Sequence, residues 1–204
     1  MPDQPDLQAI SGRLERGEID SARYLEQLMR FVAGRIGCTR AGLRLFVETS
    51  EGRALRCVAM FDAGLDRMVS APDIVHAEGS VYLERLRRDG SVTIGPACAD
   101  PAVAGALRDY LATAGVVSLM DMGFSVNGVL FGTFSCEQVG TKLHWTQRQL
   151  QALRKTASRA SLTLMHFVNA SVDTAPGALW EPSTPNRLAT MPMPLDLPPG
   201  FKRE

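Results

Sequence analysis

Apolar residues recur every three or four positions between residues 21 and 36, where Leu25, Leu28, Met29, Val32 and Ile36 form one helical stripe. Asp20 stands ahead of that stripe as a cap, Ile19 and Tyr24 occupy the positions of a hydrophobic staple, and Gly37 closes the helix. The period then drops to two. Residues 41–48 and 54–61 alternate apolar and polar around Glu51-Gly52-Arg53, which predicts a hairpin. Ser80 opens a short helix over Val81–Asp89 ended by Gly90, and Val92–Gly95 reads as a short strand. Asp100-Pro101 places a cap residue before a proline and predicts a helix from there to about Ala114, stopped by Gly115. The strongest hairpin signal follows: Val116–Val126 and Val129–Glu137 flank Asn127-Gly128, a pair that tolerates the positive φ angles of a type I′ turn. Thr146 and Gln149 form a capping box that opens a last helix running to about Val168.

This order of elements predicts an α+β fold with a mostly antiparallel sheet. A two-residue turn sets the register of the second hairpin, pairing Val126 with Val129 and Gly123 with Gly132. One face would then carry Met120, Met122, Phe124, Val126, Val129 and Phe131. The other would carry Leu119, Asp121, Gly123, Ser125, Leu130, Gly132, Phe134 and Cys136. Both are mainly apolar, so both are expected to be covered. The two glycines leave a bare patch that suits a ligand or another backbone. Seven of the twelve prolines fall within residues 170–204, where periodicity also ends. The expected organisation is a lead-in or helical extension over 1–18, a domain over 19–169, and an extended proline-rich tail over 170–204.

Composition narrows the class further. The 22 basic and 22 acidic residues cancel, which argues against a protein that holds nucleic acid or a membrane surface by bulk charge. Cys38, Cys57, Cys98 and Cys136 lie far apart with no CxxC pair, and there are only three histidines. That pattern reads as reduced thiols in a cytoplasmic protein, without a disulfide framework or a metal site. Asp121 and Asn127-Gly128 interrupt the most apolar stretch, Val116–Phe134, so it is not read as a membrane span.

Three segments resemble the GAF family of ligand-sensing domains. They are Tyr110-Leu111 followed by Gly115–Asp121, the run from Gly128 to Gly140, and Trp145-Thr146 at the start of the last helix. The resemblance covers roughly residues 20–168. It implies a GAF/PAS-like architecture: a central antiparallel sheet of about five to six strands, terminal helices on one face, and short helices and loops enclosing a small-molecule pocket on the other. It names no ligand, and the sequence leaves any cofactor unknown.

Asp121 is the leading candidate for a polar anchor in such a pocket, because an aspartate among Leu119, Phe134 and Cys136 needs a partner. Its structural alternative is a bond that pins the overlying segments. Tyr82, His76, Cys98 and Phe134 complete the candidate ligand-binding set. The Cys98-Ala99 pair lacks the histidine usual after the cysteine of bilin-binding relatives, and no thiol pair suggests itself for a methionine-sulfoxide-type reductase. Nor is there a Gly-rich phosphate loop or a catalytic triad, so no enzyme is expected. In the last helix Leu150, Leu153, Ala157, Ala160, Leu164 and Phe167 follow a heptad-like spacing, a candidate dimer seam that would equally serve the domain's own sheet. That helix carries Arg148, Arg154, Lys155 and Arg159 and no acidic residue, and could pair with the more acidic N-terminal region within a chain or across a homodimer. The leading expectation is a small-molecule sensor acting through a helix-mediated homodimer on an output partner. A ligand-free interaction module is the second reading, and a thiol reductase using Cys98 the third.

Overall fold

A computed structural model describes residues 6–50, 52–77, 79–95, 100–126 and 129–174, with side chains for all of these except 48, 126, 129 and 165–174. The two long hairpins form the frame. β1 (Arg40–Thr49) pairs with β2 (Gly52–Asp62), and β6 (Val116–Val126) pairs with β7 (Val129–Val139). β1 and β7 then join the hairpins through their apolar and polar alternation, Arg40 opposite Glu137 and Leu45 opposite Gly132. β5 (Ser91–Ile94) extends β6 on one edge. On the other edge the outer side of β2 takes β3 (Arg67–Met68) at one end and β4 (Ile74–His76) at the other. The sheet is antiparallel in the order β3-β2-β1-β7-β6-β5. β3 and β4 are too short to have left a periodic signal.

Helices cover both faces. α2 (Ser21–Ile36) begins where the Asp20 carboxylate accepts a hydrogen bond from the Arg23 N–H at 2.8 Å, and ends at left-handed Gly37. α5 (Gln147–Thr174) starts with the expected reciprocal box, Thr146 N–H to Gln149 Oε1 at 2.9 Å and Gln149 N–H to Thr146 Oγ1 at 3.2 Å. It runs six residues past the expected end. These two helices share one face of the sheet with α1 (Leu7–Glu15), whose Leu7, Ile10 and Leu14 are buried in the same core as Met120, Met122 and Phe124. The N-terminal lead-in therefore contributes core. Leu153, Ala157 and Ala160 are fully buried in that layer, and Leu150 and Leu164 pack at its margin, so the heptad-like seam is occupied within the chain. The acidic residues near the N-terminus pair locally, Glu18 with Arg16 and Glu26 with Arg23, and among the described residues none is bridged to α5. The Phe167 side chain and the tail from residue 175 lie outside the described residues.

The opposite face carries α3 (Val81–Asp89) and α4 (Gly105–Thr113), packed over a second core that includes Phe46, Leu55, Tyr82, Leu107 and Leu119. Here two expectations change. The Asp100 side chain does cap a turn, accepting the Ala102 N–H at 2.9 Å, but it also binds Arg85 at 2.8 Å. The helix proper begins only at Gly105, whose φ of +53° breaks continuity with that turn. The second correction concerns register. The turn pairs Val126 with Val129 as expected, but an irregularity beyond Ser125 sets Phe124 opposite Gly132 and Gly123 opposite Thr133. An extra residue in one strand inverts every later side chain. Phe134 and Cys136 therefore lie in the helix-covered core, while Thr133, Ser135 and Glu137 join Asp121 on the other side of the sheet.

Candidate functional site

The cavity lies between the sheet and the α3/α4 layer. Its floor is built by three strands. β1 supplies Arg44, just past an irregularity against β2 between Leu43 and Arg44, β6 supplies Asp121, and β7 supplies Ser135 and Glu137. Its roof is His76 on β4, Tyr82 on α3, and Leu107 and Tyr110 on α4, with Leu55, Ile74 and Leu119 completing an aliphatic wall. The enclosed volume is about 10 Å³, roughly one water by the usual measure.

Arg44, Asp121 and Glu137 are 1%, 3% and 1% exposed, a concentration of charge that folding tolerates only when the groups find partners. Each carboxylate is held by a tyrosine from the roof. The Tyr82 hydroxyl donates to Asp121 Oδ2 at 2.5 Å, and the Tyr110 hydroxyl is shared by the two Glu137 oxygens at 2.8 and 2.9 Å. Arg44 donates from Nη1 to the Pro72 carbonyl at 2.9 Å and lies 4.8 Å from the centre of the Tyr110 ring. Its Nη2 is 3.8 Å from Glu137 Oε1, an ion pair without a hydrogen bond. His76 stacks on Tyr82 with ring centres 4.6 Å apart. Four buried polar atoms of the cavity lining meet no protein partner at hydrogen-bonding geometry: Arg44 Nη2, Asp121 Oδ1, His76 Nε2 and Ser135 Oγ. The Ser135 hydroxyl is nonetheless near enough to act on the Asp121 carboxyl.

Burial sets the protonation behaviour. It pushes the Asp121 carboxyl up, against the opposing pull of Ser135, Tyr82 and Arg44, and it does the same to Glu137 against Arg44 and Tyr110. Tyr82 and Tyr110 are raised, first by burial and then by the carboxylates they serve, and so remain donors. His76 is lowered to about 4 by burial and by the charge of Arg44, which leaves the ring neutral at neutral pH.

Of the residues expected at a site, the structure brings Asp121, Tyr82 and His76 to one cavity. Phe134 is excluded by the shifted register and makes an edge contact with Phe124 on the far side of the sheet. Cys98 lies outside the described residues. Cys38 and Cys136, far apart in the sequence, are both buried in the core on the face of the sheet opposite the cavity, with Cys38 near enough to act on the Cys136 thiol. Arg44, Tyr110, Ser135 and Glu137 were not anticipated. The one available signal was parity, since Arg44 shares its strand face with Phe46, which is buried. No group of three or more histidine, cysteine, aspartate or glutamate side chains suited to a metal occurs among the described residues.

Residues 21–164 match the GAF domain family, and the chain belongs to it. Solved structures agree in fold. A far-red absorbing domain with bound biliverdin IXa superposes with a TM-score of 0.59 at 14% identity, over 78% of this chain and 97% of that one. A domain of a Sinorhizobium meliloti putative two-component sensor histidine kinase gives 0.54 at 16% identity, over 74% and 94%. The blue-light absorbing form of the Thermosynechococcus elongatus PixJ GAF domain gives 0.52 at 14% identity, over 76% and 94%. No curated protein sequence matches the chain.

Proposed function

We propose that this chain is a non-enzymatic regulatory GAF protein that senses a small molecule in the cavity beneath α3 and α4 and transmits the result through its terminal helices. The observation that carries this reading is the set of buried, charged and incompletely paired side chains around the cavity. Such groups are costly in a purely structural core, where apolar residues of the same volume would serve as well or better.

The residues do not fit a tetrapyrrole such as the biliverdin of the neighbouring fold. The closed cavity of about 10 Å³ admits no organic ligand until its roof lifts, and its three buried charged groups suit a small polar molecule rather than an extended apolar ring system. The ligand proposed is small and polar, and it enters when the roof lifts. Signal transmission is supported by position: Glu137 faces the cavity while its neighbour Cys136 packs in the core shared by α1, α2 and α5. A ligand that binds one arrangement of this strand more tightly than another biases the helices behind it. We further propose that these helices pair two chains and act on a separate output partner. Native mass spectrometry of freshly purified protein tests both points, and a retained small molecule with a two-chain mass is the expected result. A bare monomer that no member of a metabolite panel stabilises against heat would leave the interaction-module reading in its place.

A further inference from the structure

The electrostatics of the cavity are unequal, and the imbalance specifies a ligand. Glu137 has a cation facing it, Arg44, and a donor, Tyr110, shared by both of its oxygens. Asp121 has the Tyr82 hydroxyl on Oδ2 and the Ser135 hydroxyl close by on the neighbouring strand, and both partners are neutral. Its Oδ1 meets no protein donor at hydrogen-bonding geometry although the residue is 3% exposed. Among the described residues no cation forms an ion pair with this carboxylate, and the charge of Arg44 reaches it only from a longer range. Arg44 faces Glu137 at 3.8 Å without a hydrogen bond, so its buried Nη2, which lines the same cavity, still meets no acceptor at hydrogen-bonding geometry. His76 is neutral and adds no charge to either side.

Resting on the sensor reading above, we infer that the ligand is a small zwitterion of the free α-amino acid class, its ammonium group bound at Asp121 and its carboxylate at Arg44. An ammonium carries the charge and donors that Oδ1 is missing, and a carboxylate offers Nη2 a charge-assisted acceptor. The two demands come from β1 and β6, on either side of β7, and both side chains line one small cavity, so a molecule carrying both groups on one carbon meets them together. Tyr82 and Tyr110 hold the roof closed over Asp121 and Glu137, so the ligand enters when these bonds open.

The test is titration calorimetry of the full chain with each standard free amino acid, and with the decarboxylated amine and the deaminated acid of any that bind. At least one amino acid is expected to bind, with each half-molecule weaker by about 100-fold, the usual scale for removing one member of a buried charge pair. Asp121→Asn keeps the shape and an acceptor for Tyr82, and is expected to reduce binding of the amino acid by a similar factor. Equal binding of the amine or the acid alone overturns the inference. So does a metabolite panel in which other compounds bind and no amino acid does, an outcome that leaves the sensor reading standing. Failure of every compound, with nothing retained in native mass spectrometry, removes both.

Discussion

Tyr82 is the residue on which the roof most depends, since its hydroxyl reaches across from α3 to donate to Asp121 Oδ2 at 2.5 Å. Replacing it with phenylalanine leaves a buried carboxylate without that bond and is expected to cost about 1–3 kcal/mol, measured by urea unfolding at pH 7. His76 makes a pH prediction of definite sign. Its folded value of about 4 lies below the unfolded 6.5, so between these the unfolded chain binds more protons and stability falls as the pH falls. The full effect is up to about 3 kcal/mol. Asp121 and Glu137 act in the opposite sense, because their folded values are raised and their contribution is lost as pH rises through them. The wild-type curve is thus a sum of opposing slopes. His76→Gln is expected to lose less stability than wild type on acidification from pH 6.5 to 4, and parallel curves would show that the ring does not titrate as its burial implies.

At the scale of elements, the closeness of β1 and β7 depends on Gly132. A Cβ there would collide with the Arg44 carbonyl and press on Phe124. The bare patch legible in the sequence is therefore filled by another backbone. Gly132→Ala must push apart the strands that hold Arg44 and Glu137, and a loss of about 3 kcal/mol or more is expected. Gly95 is the control: a Cβ there meets nothing within 4 Å, and alanine should change stability by less than about 0.5 kcal/mol. The Cys38–Cys136 contact belongs to this scale too. Burial first of all, and then Cys38 itself, pushes the Cys136 thiol well above its ordinary range, which makes it a poor nucleophile. In the native protein, modification of Cys136 by a thiol reagent is expected to wait on unfolding, as followed by mass spectrometry with and without denaturant.

For the molecule as a whole, α1 matters more than its place ahead of the family match suggests. Ile10 is 0% exposed and Thr163 of α5 donates to Ser11 at 3.2 Å, so this helix closes the core formed by α2 and α5. Ile10→Ala is expected to destabilise the chain by about 2–5 kcal/mol. Covering the seam of α5 in this way leaves its basic side, with Arg148, Arg154, Lys155 and Arg159, facing outward. Like charges on that side disfavour direct contact between two copies of α5, so the proposed pairing of two chains would set it against the more acidic N-terminal region of the other chain. Among the described residues no helix is long and apolar enough to cross a membrane.

What the linear pattern determined was local. The caps at Asp20 and Thr146, the stops at Gly37, Gly90 and Gly115, the two hairpins and the resemblance to GAF domains all depend on residues within a few positions of one another, where propensity and periodicity act directly. Asp121 was legible as a candidate because a carboxylate in an apolar strand is unusual in itself. What the tertiary structure decided was which residues share its surroundings. One irregularity in the second hairpin moved Phe134 away and brought Ser135 and Glu137 in, and a strand from the first hairpin delivered Arg44 to the same floor. Register and long-range strand pairing depend on how the whole sheet packs between two helical layers, and a charge reads as solvent-facing until that packing shows it to be buried.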